Sequence, residues 1–248
     1  MRKGILIRVG IDSSYGEWNA PVNPDNGDFV FLPIPENKKH EINPGQAFPY
    51  NHFISDLKKF SFNNNLSDKN EITLPNHLNG LNTHLDPDFN FLTYGDNGIH
   101  RGKELKNQFQ TGDFIVFFAG LKPISKFIYP LYYAIIGFYE ILKVVEAKDI
   151  LPVELIINAH TRKINPNPTD VIIIADPQKS GRLEKSILIG DFRDKSYRVT
   201  KELLKEWGDI SSKNGFIQRS AVPPSFKNPE KFLNWFSKQK VKLIRRNN

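Results

Sequence analysis

The chain has 248 residues, a net charge of +7 and no cysteine. That length supports one large core or two small ones. The lack of cysteine excludes disulfides, thiolate nucleophiles and cysteine-ligated zinc, while the cationic balance favours polyanionic partners, nucleic acid above all.

In chain order, Met1 to Lys3 lead straight into an apolar strand at Gly4–Val9, with no signal-type stretch, so a cytoplasmic location is expected. The loop from Gly10 to Pro21 carries Tyr15, Trp18 and Asn19 among flexible glycines. Tyr and Trp stack on nucleobases and Asn bonds a base edge, each stacked base contributing about 1–3 kcal/mol; the same rings also serve as caps on a core. Pro24–Asp28 predicts a turn and Phe29–Leu32 a returning strand. Asn51–Phe60 predicts a short helix burying Phe53, Ile54, Leu57 and Phe60.

Next comes the first cluster with chemical potential. In an extended chain, alternation places His84, Asp86 and Asp88 on one side, an arrangement that suits a divalent metal ion or a histidine oriented by a carboxylate. Asp86 and Asp88 equally suit a turn around Pro87. No HExxH or EF-hand pattern accompanies them.

Thr111–Leu142 holds two apolar runs, Phe114–Phe118 and Tyr132–Ile141, which predict paired central strands. Lys122, Pro123, Lys126 and Pro130 connect them, placing a basic loop beside the sheet's centre as a ligand entrance. The longest apolar run, Phe127–Leu142, is shorter than the about 20 residues of a membrane span and is broken by Pro130, Gly137 and Glu140. Lys143–Pro152 reads as a charged connection, followed by a strand at Val153–Asn158 that delivers His160 and Arg162 at its end. There, His160 suits general acid or base work and Arg162 a phosphate clamp.

Val171–Ile174 and Ile187–Ile189 predict neighbouring strands, with Arg182, Arg193 and Arg198 on loops among acids and aromatics. That pattern suits phosphate contact, or alternatively surface ion pairs. Thr200 predicts the cap of a helix ending at Gly208, and the turn with Gln218, Arg219 and Ser220 offers groups to a base or phosphate. Asn228-Pro229 opens a second helix with Phe232, Leu233, Trp235 and Phe236 as its buried stripe, before a basic tail from Lys238 to Arg246.

Several of these stretches together carry a resemblance: the run from Ile7 to Gly16, Leu32–Glu36, His84–Asp88, Thr111–Phe118, Asn158–His160, Ser180–Glu184 and Gln218–Pro224. The chain resembles the nucleotide-modification-associated domain family of the third type, whose members are described as DNA base hypermodification proteins. The two central strands are also similar to those of PUA-like domains of the EVE and YTH types, which hold a base in an aromatic pocket.

The expected architecture is α+β over residues 1–248 as one domain, either a mixed, largely antiparallel sheet or a partly closed PUA-like barrel, with peripheral helices. The expected role is recognition or modification of a nucleobase in a basic, aromatic-lined pocket. His160 and Asp86 are its catalytic candidates; Tyr15, Trp18, Asn19, Arg162, Arg182, Arg193, Arg198, Gln218 and Arg219 are its nucleic-acid contacts. A nuclease or glycosylase-like restriction enzyme, and a reader without chemistry, remain open alternatives. Expected partners are DNA or a nucleotide and proteins of DNA-modification systems, with no membrane. The cofactor is undetermined; a divalent metal at His84, Asp86 and Asp88 is the candidate, since GxxxxGK[ST] and a strand-linked GxGxxG, the ATP and NAD signatures, are both missing.

Overall fold

The computed structural model describes residues 2–99, 101–150, 158–218 and 222–248. The strand expected at 153–158 falls almost wholly outside them, as do Arg219 and Ser220. In chain order the elements are β1 (Gly4–Arg8), β2 (Pro21–Val22), β3 (Ile34–Pro35), α1 (Ile54–Asn63), β4 (Thr83–His84), β5 (Thr93–Asp96), α2 (Arg101–Gln108) and β6 (Phe114–Pro123). Then follow β7 (Tyr132–Glu146), β8 (Val171–Ala175), β9 (Gly181–Leu188), β10 (Gly190–Arg193), β11 (Ser196–Val199), α3 (Lys201–Trp207), α4 (Pro229–Lys238) and β12 (Leu243–Ile244).

The fold is α+β, built on a mixed sheet of eight strands that does not close into a barrel. Its spine runs β1-β6-β7-β8-β5, with β2 added to β6, β9 to β7 and β12 to β9. Among the described residues only β1 and β2 run parallel to β6, and the other pairings in the sheet are antiparallel. The expected central pair is the β6–β7 hairpin, and Phe114 to Phe118 are each at most 1% exposed, as an uninterrupted apolar run demands.

Alternation along β6 feeds two cores. Ile115, Phe117 and Ala119 face one of them, and Phe114, Val116 and Phe118 the other. In β7 the phase switches, because Ala134 and Ile136 face the first core but so do Tyr139 and Ile141. A register shift between Ile135 and Gly137 inserts the extra residue that allows this. The N-terminal loops and α1 cover the first face; the β10–β11 hairpin, α3 and α4 cover the second.

Both C-terminal helices begin as their sequences require. Thr200 Oγ1 accepts from Leu203 N and Gly208 ends α3 in the left-handed region, while Asn228 Oδ1 accepts from Lys231 N ahead of Pro229. Phe232, Trp235 and Phe236 are buried as expected. Among the described residues no helix is long and apolar enough to cross a membrane.

Several expectations are overturned. Phe29–Leu32 forms no strand, only an isolated bridge from Phe29 to Val22, because its four apolar side chains fill the core between loops. Ile54 is 37% exposed at the start of α1, whereas Phe53, Leu57 and Phe60 are buried. Residues 143–146 are the end of β7 rather than a loop, held by pairing to β8. Ile187 pairs with β7, not with β8, since β8 lies between β7 and β5. Arg182, Arg193 and Arg198 stand on β9, β10 and β11 rather than on loops. The β10–β11 turn uses Asp194 and Lys195 at positive φ, a tight turn without the usual Asn-Gly signal. The basic tail is no free end either: Leu243 and Ile244 pair with β9, and Asn247 is buried.

Candidate functional site

On the first face, near the edge formed by β5, three segments distant in sequence meet. His84 sits on β4, Asp86 follows it, and Asn158–Arg162 turn in above β5. Gly95 of β5 is the contact point. A Cβ there would lie 2.4 Å from His160 Cδ2 and 2.6 Å from Asn158 Oδ1, so only glycine lets the histidine rest against the strand.

Asp86 is anchored by backbone and amide. Its two carboxylate oxygens accept from Gly95 N at 2.9 and 3.0 Å, and Oδ1 accepts from Asn158 Nδ2 at 3.2 Å. Asn158 Oδ1 in turn accepts from His160 N at 2.9 Å. Nδ1 of His160 donates to Asp170 Oδ2 at 2.6 Å, and its Nε2 faces Asp86 Oδ2 at 3.8 Å. The neighbouring histidine repeats the theme: His84 Nδ1 bonds Glu36 Oε2 at 2.9 Å, and the two imidazoles meet edge to face with centroids 4.9 Å apart.

One ring nitrogen of each histidine and a carboxylate oxygen of Asp86 thus lie within 4.8 Å of one another. The side chains of His84, Asp86 and His160 are 16%, 5% and 10% exposed, so solvent reaches the cluster chiefly past His84. Burial drives the titrations. It pushes Asp86 up to about 7 against the opposing pull of His84 and the Gly95 N–H, and it lowers His160 despite the Asp170 hydrogen bond. Burial thus works against charge on both partners of the His160–Asp86 contact. Burial also disfavours the Glu36 anion, but hydrogen bonds and charge from His84, with a further bond from His40, more than offset it and hold Glu36 at about 2.

Asp88 does not join the cluster as alternation suggested. It is fully buried, pairs with Arg162 Nη2 at 2.6 Å and accepts from Asn247 Nδ2 at 3.2 Å. β4 ends at His84, so Asp86 to Asp88 lie beyond the strand and period-two alternation does not apply. His160 takes the place of Asp88 in the triplet. Beside it lies a cavity of about 10 Å³ lined by Glu36, Gln46, Thr83, Ala159 and Arg162, room for about one water.

The nucleic-acid candidates scatter. Tyr15 is 63% exposed, and Arg101 pairs with Asp96 at 2.7 Å beside the site. Trp18 packs against the first core, and Asn19 Nδ2 donates to Gly120 O at 2.7 Å. Arg162 is buried against Asp88. Arg182 is buried over the Phe29 ring, 4.9 Å from its centroid, and burial lowers its pKa to about 10. Arg193 bonds Asp191 and Val199 O, Arg198 bonds Lys213 O, and Gln218 Oε1 accepts from Tyr197 N; these three belong to the second face. Arg193 and Arg198 thus share the Asn214 carbonyl, whereas Arg162 and Arg182 are buried apart from them against Asp88 and Phe29.

Glu36, Gly95, Asn158 and Asp170 complete the site without having been singled out for it. Asp170 stands one residue before β8 and Glu36 one residue after β3, so both are strand-end carboxylates, a signal visible only once the strand ends are known. The family model described as nucleotide modification associated domain 3 matches residues 3–223. No curated protein matches the chain, and no solved structure does.

Proposed function

Because this chain belongs to the nucleotide modification associated domain 3 family, we propose that it acts on a nucleobase of DNA, with His84, Asp86 and His160 as the reaction centre. The convergence of these three side chains, with each histidine braced by its own carboxylate, carries the reading. Bracing of this kind fixes the tautomer and direction of an imidazole.

Tyr15, exposed and next to Gly16, which lies against Pro35 beside Glu36, is the stacking surface for a base brought out of the helix. Extrusion costs a few kcal/mol, which stacking and edge hydrogen bonds offset. Arg193 and Arg198 lie across the sheet and take no part.

Nucleosides from DNA incubated with the protein and cell extract, analysed by mass spectrometry, test this. A new or altered nucleoside formed by the wild type and lost in His160→Ala supports it. An unchanged profile with tight, salt-sensitive DNA binding would move the assignment to a reader. Strand cleavage that depends on His160 would move it to a nuclease.

A further inference from the structure

Asp170 accepts from Nδ1 of His160, and Glu36 bonds Nδ1 of His84. Nε2 is therefore the ring nitrogen each histidine has left, and in the neutral ring it is a lone pair. Asp86 Oδ2 faces Nε2 of His160 at 3.8 Å, beyond the reach of a hydrogen bond. Its carboxylate is meanwhile held from the other side by Gly95 N and Asn158 Nδ2. With a ring nitrogen of His84 within 4.8 Å of both, electron-pair donors gathered in this way suit a cation.

We propose, on the reading of these residues as the reaction centre, that His84, Asp86 and His160 bind one divalent transition-metal ion, with Glu36 and Asp170 as the outer carboxylates that orient its imidazole ligands. Two imidazoles and one carboxylate select zinc, manganese or ferrous iron over magnesium and calcium, which take oxygen ligands. Three protein ligands leave a coordination position for water or substrate, the pattern of catalytic rather than structural sites. Ligands of a tetrahedral ion with bonds of about 2.1 Å stand about 3.4 Å apart, so atoms already within 4.8 Å close on it by small side-chain movements. Carboxylate–histidine–metal relays of this kind are the usual outer shell of such ions.

The untagged 248-residue chain, stripped with a chelator and titrated with Zn²⁺ and separately with Mn²⁺ by calorimetry, tests the site. Elemental analysis after desalting supplies the stoichiometry, and the visible spectrum of the Co²⁺ form reports the ligand field. One ion per chain is expected, with affinity lowered at least tenfold in His84→Ala and in His160→Ala and unchanged in His77→Ala, an exposed histidine outside the cluster. His84 is the more exposed ligand, so its variant serves if His160→Ala fails to fold by circular dichroism. Absence of a stoichiometric ion, or equal affinity in wild type and His84→Ala, overturns the metal site. An ion retained without any nucleoside change upholds the metal site while removing the proposed function; a nucleoside change by protein that takes up no stoichiometric ion does the reverse.

Discussion

Asp170 Oδ2 accepts the Nδ1 proton of His160 at 2.6 Å, and this one contact decides which ring nitrogen points toward Asp86. Asp170→Asn keeps the size of the side chain and removes its charge. The substitution is expected to cut the affinity for Zn²⁺ by about 10–100-fold, the usual effect of losing an outer carboxylate. Calorimetry on the variant, with its circular dichroism spectrum unchanged, checks this, and full retention of affinity would count against the orienting role.

The pairing of Arg162 with Asp88 makes a different prediction. Both side chains are buried, and Asp88 also accepts from Asn247 and from Asn90 N. Removing the guanidinium leaves a buried carboxylate poorly compensated, so Arg162→Met should cost about 3–5 kcal/mol in urea unfolding. The double variant Asp88→Asn, Arg162→Met should lose less than the sum of its parts. An Arg162→Met protein as stable as the wild type would return Arg162 to the phosphate-contact candidates.

Gly95 sets the depth of the site. Alanine would place its Cβ against His160 and Asn158 at 2.4 and 2.6 Å, a clash that cannot be relieved without moving the turn. Gly95→Ala is expected to destabilise by about 1–3 kcal/mol and to weaken Zn²⁺ binding as much as His160→Ala does. Thermal unfolding and calorimetry together read both effects.

Glu36 should be visible in acid. Its pKa is lowered from 4.5 to about 2 in the folded chain, where His84 and His40 more than offset the opposing effect of burial. A carboxylate whose folded pKa is depressed contributes stability that is complete above its unfolded value and lost as pH falls through the folded one. With chelator present, wild type should exceed Glu36→Gln in urea midpoint near neutrality. That advantage should shrink as pH drops from 4.5 toward 2. A pH-independent difference would show that Glu36 acts through packing rather than charge.

Local features were readable wherever a local rule governs them. The β6–β7 pair, the capped α3 and the Asn-Pro start of α4 are cases in which neighbours in sequence supply the decisive interaction. His84 and Asp86 were chosen on period-two spacing and His160 on its place at an expected strand end, and the structure places the three together. The metal set drawn from spacing took Asp88 in place of His160, because alternation presumes a regular strand and the segment after Asp86 is not one. The arginines on β9, β10 and β11 were read as loop residues because their strands are polar and owe their existence to partners elsewhere in the chain.

What the sequence determined by itself was chemistry and local geometry: a cysteine-free cationic chain, apolar strands buried on both faces, and the residue types capable of catalysis. Tertiary structure alone decided which of those residues meet. His160 reaches Asp86 across 73 intervening positions through the contact of Asn158 with both, and the carboxylates that aim the histidines come from the ends of β3 and β8. Hydrogen bonds between side chains so far apart in the chain have no local signature, since they depend on which strand edges the core brings side by side.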